Sequence, residues 1–559
     1  MDIGLIESPA GFEVVRKDAE QLLKLRNCKN IDLVISYCSE LDKDGYELDI
    51  ADGGANINAS DIGGAYAALG ALLRSADWSG DEPVWHDLHV KESPDLPMRH
   101  MLIPGHFGNV YECMGRNEMR DFLLDMRLSG GNGYVDRFDI GELTIPFRSF
   151  GNGHSRAIYS ADLLQHKVRH WLNAQEMGMD TGMTLNPNHV YIEQWDKELS
   201  AEYGEKYIGN LLCPSLPKAR EIIERNWSEL YEYLADCGVN MTHIRPAPFD
   251  DGGCSCDKCS PYYKTFLELC AEIAPHFLKF WPECEGYLSG WWTTDEEQEL
   301  LRTFCLSGQA PWLKNYLFST SYSVTDMPKD MASHIAPLQY SSFVHCAFTK
   351  NASDKYNSGG LHTAVNRISS LLRQYPEVGC NGYLAYTEGT ESHLNLHVIN
   401  RLAYNLDCDT SRELAGYCRW YFGLAPEGAD DLAAIIIESE AMLPESGATL
   451  LKRLRRLSPK ILPGREYLWE LLEAKFILLD MAHRAEKEDL SNLAEEFYVL
   501  YERLARYTWR TGPMRHVLTE SDRMPDWLKE HHQQNCPPDR QPVPNLNINQ
   551  NIEINHLGV

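Results

Sequence analysis

Between about residue 98 and residue 400 the chain alternates short apolar runs with helix-sized amphipathic segments, and this alternation restricts the fold more than any other feature. Eight runs have strand character: RHMLIPG, NGYVDRFD, DTGMTLNP, VNMTHIRPAPF, ECEGYLSGWW, KNYLFSTSY, QYSSFVHCAF and CNGYLAYTEG. Segments such as NEMRDFLLDMRLSG, ADLLQHKVRHWLNAQEMG and LPKAREIIERNWSELYEYLADCG lie between them. Eight βα units over roughly 300 residues predict a (β/α)8 barrel, the TIM-barrel arrangement. A doubly wound sheet would need a glycine-rich phosphate turn after its first strand, and MLIPGHFGN is a poor match.

The flanks read differently. Strand-like NIDLVISYCSE and GYELDIADGGANINAS precede SDIGGAYAALGALLRSA, where Ser60 or Asp61 can cap a helix with Ala65, Leu69, Leu72 and Leu73 on one face. Pro94 and Pro97 in KESPDLPMRH end this small α+β unit. After residue 410 the pattern turns helical, and the last stretch is polar and rich in Pro and Asn. The expected organisation is an N-terminal α+β domain (1–95), a catalytic barrel (96–410), a C-terminal helical region (411–535) and an extended or disordered tail (536–559). The C-terminal helices could cap the barrel or build a homodimer.

With 52 basic against 81 acidic side chains, the net charge of −29 opposes a phosphate backbone, so nucleic acid is not the expected partner. No run approaches the ~20 apolar residues that cross a bilayer. The opening MDIGLIESPAGFEVVRKD lacks the pattern of an export signal, so the 16 cysteines are expected to be mostly thiols, as in a cytoplasmic protein. Aromatic and carboxylate content together suit a neutral, hydroxyl-rich ligand: a small oligosaccharide or glycoside.

In such a barrel, chemistry sits at the C-terminal ends of the strands. Those ends carry His106 and Asn109, Asp136 and Asp139, Asn186, Asn188 and His189, Asp250 and Asp251, Trp291 and Trp292, Tyr322, His345, and Glu388 and Glu391. Carboxylates, amides, imidazoles and indoles are the set that grips and cleaves a sugar. Asp250 and Asp251 at the end of the fourth strand can share a proton, yielding an acid and an anion, although Asp-Asp-Gly-Gly is also ordinary turn composition. Glu388 is placed to bind hydroxyls or act as a second catalytic group, whereas Glu391 suits the first turn of a helix. Trp291 and Trp292 offer faces for a pyranose ring, with one of the two expected in the core. Asp136 and Asp139 could hold hydroxyls, or equally pair with Arg137 or nearby loop amides, and His345 sits between apolar neighbours, as core histidines do. Cys254, Cys256 and Cys259 could bind a structural zinc with a fourth ligand such as Cys213 or Cys270, or remain packed thiols.

The segments GYELDIADGGANINASDIGGAYAALGALL and PDLPMRHMLIPG resemble the small domain and Pro-and-Arg junction that precede the barrel in glycoside hydrolase family 20. MRDFLLDMRLSGGNGYVDRFD is similar to the opening of such barrels, and LCPSLPKAREIIERNW with DDGGCSCDKC resembles a group of glycosidase-like barrels. YTEGTESHLNLHVINRLAYNLDCDTSRELAGYCRWYFG resembles their closing strand and helical extension. In β-N-acetylhexosaminidases of this clan two adjacent acids end the fourth strand, and Asp250-Asp251 resembles the Asp-Asp version of family 84 more than the Asp-Glu of families 20 and 123. The resemblance implies that Asp250 orients the substrate's 2-acetamido group, and that Asp251 is the acid and then the base of a retaining mechanism needing no cofactor. It also implies an aromatic wall for the acetamido group, for which Tyr322, Trp291 and Trp292 are candidates; His106, Asn188, Asp136, Glu388 and His345 are expected as sugar contacts from their places at the strand ends and not from the resemblance. The Gly-Gly and cysteine cluster after the pair departs from all three families. Two other readings stand beside this one: an α-glucuronidase-like barrel using Glu388 with Arg245 gripping the substrate's acid, and a non-catalytic carbohydrate-binding barrel.

Overall fold

The computed structural model describes residues 6–504 and 507, apart from 30, 52, 106–108, 147–154, 203–209, 249–252, 292, 321–325, 347–359 and 486–489. The N-terminal unit is a five-stranded mixed sheet in the order β1-β2-β4-β3-β5, built from β1 (Ile6–Glu7), β2 (Asp32–Tyr37), β3 (Tyr46–Ala51), β4 (Gly54–Ala59) and β5 (Leu88–Glu92). Period-two alternation sends Leu33, Ile35, Tyr46, Leu48, Ile50, Ala55, Ile57 and Ala59 to one buried face. The helix Ile62–Ser75 covers that face, capped by Asp61, whose side chain accepts from the Gly64 amide, with Ala65, Leu69, Leu72 and Leu73 fully buried. The strand-like run GYELDIADGGANINAS forms a hairpin of β3 and β4, paired from Tyr46↔Ala59 to Ala51↔Gly54. Its Asp-Gly dipeptide is the hairpin signal, and Gly53 adopts a φ of 79°.

The barrel is closed and all-parallel. Its strands are β6 (Met98–Leu102), β7 (Gly133–Arg137), β8 (Asp180–Leu185), β9 (His243–Pro246), β10 (Glu285–Ser289), β11 (Leu313–Thr320), β12 (Gln339–His345) and β13 (Gly382–Tyr386). β13 pairs with β6 from Gly382↔Met98 to Tyr386↔Leu102 and completes the ring. Every one of the eight runs read from the sequence supplies one strand. Inside the ring Met98, Leu102, Val135, Leu317, Phe343 and Leu384 form one apolar cluster, with Tyr287, Trp291 and Tyr386 packed against it. Below them His100, His243 and Tyr287 stack face to face at 4.7 Å intervals. Space for the two imidazoles comes from Gly133 and Gly182, where a Cβ would stand 2.2 Å from the His100 and His243 rings.

One buried carboxylate fastens the N-terminal unit to the barrel. Asp44, at φ 60°, receives Arg99 on one oxygen (2.6 Å) and Arg127 on the other (3.3 Å). Arg99 also donates to the carbonyls of Leu96 and Gly130, and Tyr404 donates its hydroxyl to the Asp44 carbonyl. The Pro-and-Arg junction is thus an ion-paired joint. Helices Thr410–Phe422, Pro426–Ser439, Gly447–Leu454, Glu466–Arg484 and Leu490–Leu504 follow the barrel. They pack on this chain's own barrel: Arg465 pairs with Asp125, which also meets His393 at 3.2 Å. The Leu361 amide donates to the Leu471 carbonyl, and the Thr390 hydroxyl donates to the Tyr507 carbonyl. The C-terminal region therefore reaches the loops after β12 and β13. Among the described residues no helix is long and apolar enough to cross a membrane. The tail expected at 536–559 lies outside the described residues.

Candidate functional site

Barrel strands are buried on both faces, so parity decides which strand-end residues enter the lumen. Val135 faces inward, and Arg137 follows it by two residues at the mouth. Arg137 pairs with Asp139, which also receives the Gly141 amide (3.1 Å) and meets His189 at 2.8 Å. Burial would raise the Asp139 pKa, but Arg137 and His189 outweigh it and hold the carboxyl well below its ordinary range. It is a fixed anion and has no proton to give.

Arg245 projects inward from β9. Its guanidinium donates to the hydroxyls of Thr184 (2.8 Å) and Ser289 (2.7 Å) and lies 4.7 Å over the Phe343 ring of β12, on the far side of the lumen. Trp291, two residues past Ser289, stacks on His345 with centroids 5.0 Å apart. His345 meets Tyr386 edge-on at 5.1 Å, and the Tyr386 hydroxyl donates to Glu388 at 2.7 Å. Arg245, Trp291, His345 and Glu388, all singled out from sequence, thus converge at the C-terminal mouth of the barrel. His345 belongs to this wall and stacks there on an indole.

Phe343 and Tyr386 belong to the same wall and were not anticipated. A signal for them existed, since each stands two residues before an anticipated one and so shares its face. Asn186 continues the inward parity of Thr184, and its buried amide nitrogen has no hydrogen-bond partner among the described residues.

Asp136 is a correction. It shares the face of Tyr134 and points outward, towards the helix Ser155–Glu176. There it receives Lys167 (2.9 Å), the Tyr134 hydroxyl (2.7 Å) and the amides of Gly105 (3.0 Å) and Arg137 (2.7 Å). A carboxylate with four donors outside the lumen holds no sugar hydroxyl.

Asn188 also does not face the lumen; it ties two loops together. Its side-chain nitrogen donates to the carbonyls of Leu212 (3.1 Å) and Gly253 (2.8 Å). Its oxygen accepts from the Gly253 amide (3.3 Å) and the Tyr262 hydroxyl (3.2 Å). Gly253 follows the Asp250-Asp251 pair, and on the other side Ala247 donates its amide to Leu185. Asp250, Asp251, His106, Trp292 and Tyr322 themselves lie outside the described residues. Glu391, buried in a short helical turn at Thr390–Ser392, takes the structural position expected of it.

Directly beyond Gly253, the sulfurs of Cys254, Cys256 and Cys259 gather with that of Cys213, all within 4.8 Å of one another. Cys213 is the fourth member. Cys270 is buried in the main core on the helix Tyr262–Leu278, away from this group. A hydrogen bond from Cys254, with others from Ser215 and the neighbouring thiols, brings the Cys259 thiol down to about 5, while burial pushes Cys213 up to about 11.

This fold, a closed parallel barrel preceded by a small mixed-sheet unit, is similar to that of several solved glycoside hydrolases. Solved structures similar to it include a family 138 glycoside hydrolase targeting pectin rhamnogalacturonan II (TM-score 0.55, 10% identity, covering 92% of this chain and 75% of that one). Another is CpGH84B (TM-score 0.53, 11% identity, 90% of each chain). A third is the Streptomyces plicatus N-acetyl-β-hexosaminidase in complex with Thio-NAglucal (TM-score 0.51, 14% identity, 78% of this chain and 91% of that one). At such identities the likeness is one of fold. The sequence matches no family model and no curated protein.

Proposed function

We propose that the protein is an exo-acting, retaining β-N-acetylhexosaminidase that uses the substrate's own 2-acetamido group as nucleophile. Asp250 orients and stabilises that group while its carbonyl oxygen attacks the anomeric carbon. Asp251 protonates the leaving oxygen and then takes a proton from the attacking water. Neither step calls for a cofactor. The observation carrying this reading is positional: the two carboxylates follow β9, the fourth strand of a closed barrel, between flanks held by Leu185 and Asn188. The wall of Trp291, Phe343, His345 and Tyr386 suits the C–H face of a pyranose, and Arg245, Asn186 and Glu388 suit its hydroxyls.

One observation favours a second reading. Arg245 presents a buried guanidinium to the lumen, held by hydroxyls and an aromatic face, and such a group would also grip the carboxylate of a uronic acid, with Glu388 among the catalytic acids. Chromogenic β-GalNAc, β-GlcNAc and α-glucuronide substrates separate the two. The hexosaminidase reading expects turnover of an acetamido sugar, a loss of about 100- to 10,000-fold in Asp251→Asn, and inhibition by a thiazoline that mimics the cyclised intermediate. Cleavage of the glucuronide alone supports the second reading. An unaffected Asp251→Asn, or no activity on any of the three, refutes the first.

A further inference from the structure

The cysteine group lies outside the chemistry just described, and its geometry has a specific chemical meaning. Two sulfur separations are 3.7 Å (Cys213–Cys256) and 3.6 Å (Cys213–Cys259). A disulfide requires about 2.05 Å. A tetrahedral zinc with Zn–S bonds of about 2.3 Å spaces its sulfurs about 3.8 Å apart. Three of the four thiols are buried, and Cys256 is half-buried. The Ser215 hydroxyl stands 3.0 Å from the Cys259 sulfur.

We propose that Cys213, Cys254, Cys256 and Cys259 bind one structural zinc ion, joining the loop after β8 to the loop after β9. On binding, the thiols lose their protons to solvent and the four thiolates leave a centre of net charge −2, with no position open for water or substrate. The ion does no chemistry on a sugar. It holds the described part of the loop after β9, from Gly253 onward, against Ala201, Leu211 and Leu216, the apolar residues around the sulfurs. Together with Asn188 it gives that loop two fixed points.

The test reads metal and not activity, so it stands apart from the hexosaminidase assignment. Full-length protein, reduced and purified from zinc-supplemented medium without chelator, is expected to hold one zinc per chain. Cys213→Ser and Cys256→Ser are expected to lose it, while Cys270→Ala, outside the cluster, retains it. Because a serine could also unfold the loop, the wild-type chain is stripped and reloaded with Co2+. A tetrahedral tetrathiolate centre then shows intense thiolate-to-cobalt charge-transfer bands and visible d–d bands, which one equivalent of Zn2+ abolishes. Metal-free protein that takes up neither ion, a disulfide among the four, iron in place of zinc, or unchanged zinc in both serine variants would overturn the proposal.

Discussion

Replacing Asn188 with alanine isolates what holds the loop after β9. The side chain is fully buried and makes four hydrogen bonds, two as donor to Leu212 and Gly253 and two as acceptor from Gly253 and Tyr262. A hydrogen bond contributes about 0.5–1.5 kcal/mol net, and the 3.3 Å contact belongs at the low end of that range. The alanine variant should therefore lose about 2–4 kcal/mol of local stability, because water has poor access to the groups left behind. Tenfold per 1.4 kcal/mol converts this to a local opening that is roughly 30- to 700-fold more populated. Amide hydrogen exchange reads this directly. Gly253 and Ser255 should lose protection by that factor, while β8 and β9 keep theirs, since their ladder bonds do not involve the side chain. Tyr262→Phe removes one of the four bonds and should show a correspondingly smaller effect. Exchange at Gly253 and Ser255 within about threefold of wild type would mean that something other than Asn188 anchors the loop, and the clamp argument would fail.

Two further predictions concern buried charge. Asp136→Asn strips Lys167 of its carboxylate on the outer face of the barrel, which should cost about 3–5 kcal/mol of stability in a denaturant titration. Turnover per folded molecule should stay near wild type; a selective loss of kcat would return Asp136 to the substrate site. Asp44→Asn should cost a similar amount at neutral pH, because Arg99 and Arg127 keep their burial and lose their partner. Burial tends to raise the Asp44 pKa, but Arg127 and Arg99 prevail and lower it, so its contribution is complete above the ordinary aspartate range. It fades as pH falls below about 4 through the depressed value, and the gap between wild type and variant should narrow there. A gap independent of pH between 2 and 6 would refute the ion-pair account.

The lumen wall shows how far strand reading extends into a site. A ligand site needs an apolar surface and polar groups converging within a few ångströms, and the mouth of this barrel brings residues from β9, β12 and β13 and from the segments after β10 and β13 into such a wall. Asp136 illustrates the limit. It stands at a strand end like the others, but the two residues before it, Tyr134 and Val135, point to opposite faces and are both fully buried, so hydrophobic alternation carries no sign of which face is inside. The core stack of His100, His243 and Tyr287 was equally hidden, because three polar-tipped rings from separate strands meet only when the barrel closes.

What the amino-acid order determined by itself is local and periodic: eight strands, the helices between them, a helix capped at Ser60 or Asp61, and an acid pair a few residues beyond the fourth strand. Those follow from side-chain period, capping chemistry and chain order, all of which act over a few residues. Only the tertiary structure decided which strand-end residues share the lumen, because that depends on the inward or outward parity set by ring closure. It also chose Cys213 over Cys270 as the fourth thiol, turned Asn188 from a sugar contact into a clamp, and laid the C-terminal helices against this chain's own barrel. Each of these joins residues distant in sequence, and a single chain read in one dimension carries no distance between them.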